Sequence, residues 1–151
     1  MIRKLPLGVE PPLELLLLAD PSENKIKDYL NQGTCFVFIK EKETLGAYVL
    51  APVDKNIVEI MNVAVEESEQ GKGIGKLLIL DAIERAKQAG YKRIEIGTGN
   101  SSIGQLALYQ KCGFRLTSIE KDYFTKNYSE PIIENGIRCV DRINLSIDLK
   151  S

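Results

Sequence analysis

The stretch from Ile57 to Ala89 constrains the fold of this chain more than any other. An apolar run, Ile57-Val-Glu-Ile-Met-Asn-Val-Ala-Val65, reads as a buried strand; an acidic loop, the glycine cluster Gln70-Gly-Lys-Gly-Ile-Gly75 and a long amphipathic helix follow. Glycines at alternate positions clear the side chains from one side of a turn, so its N–H groups can meet an anion directly. The helix adds its positive dipole end and its unpaired first-turn donors, and the combination reads as a pyrophosphate cradle. A helical crossover of this length also returns the chain in the same direction, so the run Tyr91 to Gly97 is expected as a strand parallel to the first.

Two common cradles do not match the spacing. The P-loop has four residues between its glycines and a Ser or Thr after its Lys, whereas three residues separate Gly71 from Gly75 and Leu77 follows Lys76. The dinucleotide fingerprint opens directly on its strand; here the third glycine comes one residue early, and Glu66 to Gln70 lie between strand and turn. Glu95 stands at about the distance of a ribose ligand, so a nucleotide-binding α/β domain with affinity for NAD or ATP stays open at this level, as does a glycine loop that only turns the chain.

Gln70-x-x-Gly73-x-Gly75 after a strand rich in Val and Ala resembles motif A of the GNAT superfamily, the acetyl-coenzyme A dependent N-acetyltransferases. The resemblance continues through Asn100 and Leu108-Tyr-Gln-Lys-Cys-Gly-Phe114, which is similar to the superfamily's fourth helix and following strand, and so spans residues 34 to 124. It implies a single domain over residues 1–151 of α/β class: a central, mostly antiparallel sheet with one parallel pair after the glycine-rich loop, flanked by about four helices. It implies transfer of an acetyl group from acetyl-CoA to a primary amine of a small molecule or peptide by direct attack. The alternative is a non-catalytic acyl-CoA-binding or sensing module that kept the cradle and lost turnover.

Acetyl transfer from a thioester to an amine needs a neutral amine, donors for an oxyanion, and a proton for the departing sulfur; an alkylamine of pKa ~10 is only ~0.1% neutral at pH 7. Glu59, an acid inside an apolar strand, is the candidate base, because burial raises a carboxyl pKa; some family members carry a glutamate there. The plain alternative has Glu59 in solvent or paired with a Lys or Arg of a neighbouring strand. By resemblance Tyr109 is the general acid, the amide of Val63 the oxyanion donor, and the Val63-Ala64-Val65 backbone the pantetheine rail. Gln70, Gly71, Lys72, Gly73, Ile74, Gly75 and Lys76 then hold the pyrophosphate. Gln70 replaces the usual Arg. The superfamily's usual Asn position, seven residues before the tyrosine, is Ser102, with Gln105 where Ala is common; Asn100 either holds the pantetheine side or caps the helix.

Composition bears on the acceptor. A net charge of −1 gives no basic field for nucleic acid or an anionic membrane, and suits a small cationic or neutral substrate. Histidine is absent, which removes Ser-His and Cys-His schemes and any His-based metal site, so no metal is expected. Three cysteines without C-x-x-C spacing argue against a disulfide framework and for a reducing, cytoplasmic setting. The apolar run Leu15 to Ala19 is far shorter than the ~20 residues of a spanning helix. A homodimer is left open, and the acids Asp122, Glu130, Glu134 and Asp141 are candidates for attracting an amine.

Elsewhere, Met1 to Leu5 reads as a short strand, Leu13 to Leu18 as a helix, and Ser22 as the cap of a second helix with Ile26, Tyr29 and Leu30 on one face. Thr34–Ile39 and Leu45–Leu50 form a hairpin signature around Lys40–Glu43. In the long helix Ile74, Leu77, Leu78, Ala82, Ala86 and Ala89 make the apolar face, with Asp81 and Arg85 paired outside it. Ile103 to Lys111 reads as a helix, Phe114–Tyr123 and Ile137–Leu149 as the last antiparallel pair of strands, and Phe124–Gly136 as a loop.

Overall fold

The computed structural model describes residues 1–149. In chain order it runs β1 (Ile2–Lys4), α1 (Leu13–Ala19), α2 (Glu23–Gln32), β2 (Thr34–Lys40), β3 (Glu43–Pro52), β4 (Ile57–Val65), a 3-10 turn (Glu67–Glu69) and α3 (Ile74–Gln88). It continues through β5 (Arg93–Gly99), α4 (Ile103–Lys111), β6 (Arg115–Glu120), α5 (Tyr123–Asn127), β7 (Ile133–Glu134), β8 (Ile137–Arg138) and β9 (Arg142–Asp148). Seven strands form one sheet in the order β1-β2-β3-β4-β5-β9-β6, and β7 and β8 make a separate ribbon. The β4–β5 pair is parallel and the other pairs are antiparallel, as the long crossover through α3 requires.

Helix α3 covers one face of the sheet. Ile74, Leu78, Ile79, Ala82 and Ala86 pack on Tyr48, Leu50, Val58, Ile60, Ile94, Ile96 and Leu145. Each such leucine or isoleucine, fully buried, contributes about 1.5–3 kcal/mol. On the opposite face α1 and α2 lay Leu15, Leu16, Ile26 and Tyr29 over Val37, Ala47, Val49 and Ala64, which covers β2 to β4. Beyond β4 this face is polar: Arg93, Glu95, Thr117, Arg142 and Asn144 line a hollow of about 430 Å³.

Between Val49 and Leu50 the β3–β4 register slips, so that Val49 faces Asn62, Leu50 faces Ile60, and Met61 is an extra residue in β4. The bulge exchanges the faces of the strand. Val58 and Ile60 belong to the core under α3, whereas Met61 and Ala64 pack against α1 and α2.

Several sequence expectations need correction. Leu77, 51% exposed, and Ala89 lie outside the buried face of α3, and Ile79 lies inside it, because the face follows the sheet and not the most apolar arc. The 124–136 segment is not a plain loop but contains most of α5, together with β7 and the turn into β8. The last apolar run divides into β8 and β9. Ser22 caps α2 as expected, accepting from the Lys25 N–H at 3.3 Å, and Asp81 pairs with Arg85 at 2.7 Å.

Candidate active site

The sheet opens where its direction changes. β4 and β5 pair only from Ile57 with Arg93 to Ile60 with Ile96; beyond that β5 stays with β9 and the edge of β4 is left bare. The Glu66 N–H donates to Leu45 O at 2.9 Å, and Val65 faces Gly46, Ala64 faces Ala47 and Val63 faces Tyr48. Amides alternate along a strand, so Ala64 is bonded toward β3 while the N–H groups of Val63 and Val65 point into the cleft. Gln70 Nε2 donates to Val65 O at 3.0 Å and ties the glycine loop to this edge.

The loop itself is a nest of free donors. Gly71 has φ +81° and Gly73 φ +89°, and Gly73 is the N-cap of α3, whose first backbone bond is Leu77 N–H to Gly73 O. Among the described residues no protein acceptor meets the N–H groups of Gly71, Lys72, Gly73, Ile74, Gly75 or Lys76. An added Cβ at Gly71 or Gly73 would meet no atom within 4 Å, so these glycines serve the positive φ and leave the space open. Gly75 differs from the expectation in lying inside the first helical turn, where a Cβ would reach Leu108 and Val65 only at ordinary contact distances. Lys72 Nζ pairs with Glu69 at 3.3 Å, and the Ile74 side chain is buried in the core, so that residue offers only its amide.

A cavity of about 390 Å³ continues the cleft, and Glu59, Asn62, Val63, Gln105 and Tyr109 are among its lining residues. Burial pushes the Glu59 carboxyl up, and the Arg142 guanidinium, whose Nη2 donates to Oε2 at 2.8 Å, opposes the rise. Arg142 reaches Glu59 from β9 by crossing β5 at Gly97: a Cβ there would overlap the guanidinium. The same group also touches Glu120 and the Asn144 side-chain oxygen. Tyr109, on α4, is 7% exposed, and burial raises its phenol above the ordinary value; its ring packs against Phe114 at 6.3 Å.

Asn100 does not cap α4. Its Oδ1 accepts from the N–H groups of Val140 and Asp141 at 2.8 and 2.9 Å and its Nδ2 donates to Arg138 O, so it pins the β8–β9 link; Ser102 is the N-cap of α4. Of the four late acids only Glu134 lines the cavity, where it accepts from the hydroxyls of Ser101 and Ser102. Asp141 binds the Asp122 N–H, and Glu130 is exposed.

Sequence reasoning missed Asp20, Asn62, Tyr128 and Arg142. Asp20 Oδ2 accepts from Tyr29 Oη–H at 3.1 Å, and its Oδ1 from Tyr128 Oη–H at 2.8 Å and Ser22 N–H at 3.1 Å. Asn62 Nδ2 donates to Leu16 O and to Tyr29 Oη at 3.0 and 2.9 Å. A polar residue inside an apolar strand was the available signal for Asn62, as it was for Glu59; nothing local marks the pairing of Asp20 with Tyr128.

A family model described as the acetyltransferase (GNAT) family matches residues 9–114. An uncharacterized N-acetyltransferase of Bacillus subtilis, YvbK, is 54% identical over 136 residues, 90% of this chain and 88% of that protein. The crystal structure of a GNAT family acetyltransferase from Elizabethkingia anophelis with acetyl-CoA bound superposes with a TM-score of 0.97 at 50% identity, covering 99% of this chain and 97% of the other. The structure of an IAA acetyltransferase from Bacillus cereus superposes with a TM-score of 0.95 at 52% identity, covering 99% of both chains.

Proposed function

The chain belongs to the GNAT acetyltransferase family, and on that premise we propose that it moves an acetyl group from acetyl-CoA to a primary amine of a small molecule or peptide by direct attack. Residues 1–151 act as one acetyltransferase domain, since a single sheet takes in strands from Ile2 to Asp148. The observation that carries the reading is the run of six amides from Gly71 to Lys76, unpartnered among the described residues, beside the edge of β4 that β5 leaves. These donors suit a pyrophosphate, and the β4 edge suits the amide-bearing pantetheine arm. The backbone donors of the glycine loop thus fit the pyrophosphate of coenzyme A, with Lys72 and Lys76 in the same stretch.

When bound, acetyl-CoA supplies the activated acyl carbon. The amine nitrogen forms a bond to that carbon and the carbon–sulfur bond breaks. Glu59 takes the amine proton, directly or through a water: burial makes it a better base than a solvated carboxylate, and Arg142 opposes that rise. Val63 N–H holds the oxygen that becomes negative, a contribution of about 3–4 kcal/mol for a donor of this kind. Tyr109, protonated throughout the working range because burial raises its pKa, donates to the departing sulfur, hands over its proton and regains one from solvent. An amine library assayed by release of free thiol tests this: amine-dependent release is expected, and coenzyme A binding without release for any amine would refute it.

A further inference from the structure

The acceptor end of the cavity is bridged, and the bridge bears on which amines can enter. Asp20 ends α1 and Tyr128 ends α5, 108 residues later in the chain; the Tyr128 hydroxyl crosses the gap to Asp20 Oδ1 at 2.8 Å. The carboxylate is held from its own side by the Tyr29 hydroxyl and the Ser22 N–H, and Tyr29 is held in turn by Asn62 Nδ2. Burial and the carboxylate together raise the Tyr29 and Tyr128 phenols, so both remain donors. Lys25 Nζ lies 5.5 Å from the centroid of the Tyr128 ring, whose neighbour Phe124 packs at 5.5 Å. Asp20, Lys25, Tyr29, Phe124 and Tyr128 all line the cavity that also contains Glu59 and Tyr109.

Another pair stands between the cavity and its neighbour. Glu59 and Arg142 line both this cavity and the polar hollow on β5 and β9, so their 2.8 Å ion pair is the partition between them. A polypeptide acceptor must lead its chain away from the reacting nitrogen, and at these two places the wall of the cavity is tied together by a charge-assisted hydrogen bond and a salt bridge. We propose, on the basis of the acetyltransferase reading, that the Tyr128–Asp20 bridge restricts the acceptor to small amines contained within the cavity and excludes polypeptide amino termini. The aromatic wall and the carboxylates give such an acceptor a cationic head and a compact apolar body.

The test compares kcat/KM for a panel of small primary amines with that for hexapeptides bearing a free amino terminus, in the wild type and in Tyr128→Phe, Tyr128→Ala and Asp20→Ala. Thermal melts establish that each variant is folded, and Tyr128→Phe, which keeps the ring, guards against loss of the wall. The wild type is expected to use small amines and reject the peptides. A charge-assisted bond of this kind corresponds to about a ten- to hundredfold factor in an equilibrium, so Tyr128→Ala and Asp20→Ala should raise the peptide-to-amine ratio by about tenfold or more, with a smaller rise in Tyr128→Phe. Peptide acetylation by the wild type at the efficiency of the amines, or an unchanged ratio in all three folded variants, overturns the proposal alone. Thiol release with neither class overturns the transferase reading and this proposal with it.

Discussion

Gly97→Ala separates the role of Glu59 from its ion pair without altering any charge. The added methyl occupies the place where the Arg142 guanidinium crosses β5, so either the side chain leaves Glu59 or the strand moves. Arg142 is the main influence opposing burial at Glu59, with Glu95 and Glu120 pushing the carboxyl the same way as burial. The two side chains are only 20% and 18% exposed, so their interaction is poorly screened, and losing it costs about 1–3 kcal/mol. That loss moves the Glu59 pKa upward, because burial and the two neighbouring carboxylates are then unopposed. A base works only when deprotonated, so the acid limb of the kcat/KM profile should move to higher pH, while activity on the alkaline plateau is retained. The assay is initial-rate thiol release at several pH values with one good amine; a parallel melt registers the stability loss. Identical acid limbs in wild type and Gly97→Ala, with a lowered melting temperature showing that the pair was disturbed, would refute Glu59 as the base.

Three further outcomes follow from the same geometry. Tyr109→Phe keeps the ring against Phe114 and removes the donor, so turnover should fall by about 10²-fold or more with coenzyme A affinity, read by calorimetry, nearly constant; unchanged turnover removes Tyr109 from the mechanism. Gly73→Asp places an acceptor at the N-cap of α3, which favours the helix but answers the free amides with an internal anion, so coenzyme A binding should be lost from a folded protein; Gly73→Ala, which carries the same backbone strain without the charge, should retain most of the binding. Tyr48→Phe removes the 2.7 Å bond from a fully buried phenol to Asp81, at a cost of about 1–2 kcal/mol and roughly 2–8 °C in Tm by thermal melt.

What could be read from the sequence were the local arrangements. The β4–loop–α3 unit spans a continuous stretch, and its strand pattern, its glycine spacing and its helical period each point to the same structure, so β4 has the expected bounds and α3 begins two residues earlier than a helix following Gly75 would. The same holds for α4 and for the Ser22 cap. The acceptor wall could not be read, because its contacts are non-local: Asp20 meets Tyr128 across the whole fold, and Arg142 meets Glu59 only because Gly97 leaves a passage between them. The misplaced Leu77 has the same origin, since a helix this apolar offers several arcs and the sheet beneath it selects one. Asn100 stands two residues before the superfamily's usual Asn position, and its side-chain bonds to the backbone of the 138–141 link are non-local, so the sequence does not show them.

The bulge at Met61 is what allows one strand to serve both halves of the site. Ahead of it, Val53 N–H donates to Ile57 O, and the register pairs Glu59 with Ala51, so the odd-numbered residues of β4 bond toward β3. Were that alternation carried through, Val63 N–H would be spent on β3 and the cleft would face the amides of Asn62 and Ala64. The extra residue reverses the parity, frees Val63 and Val65, and turns Asn62 to the same sheet face as Glu59, where both line the acceptor cavity. A base and an oxyanion donor four positions apart in one regular strand would share one alternation, with the Val63 amide turned toward β3 as Glu59's is; the slip gives Glu59 its place on the acceptor face and Val63 its amide in the cleft. Deleting Met61 should therefore abolish turnover even where the shortened strand still folds and coenzyme A still binds the glycine loop, because the loop's own donors do not depend on the parity of β4.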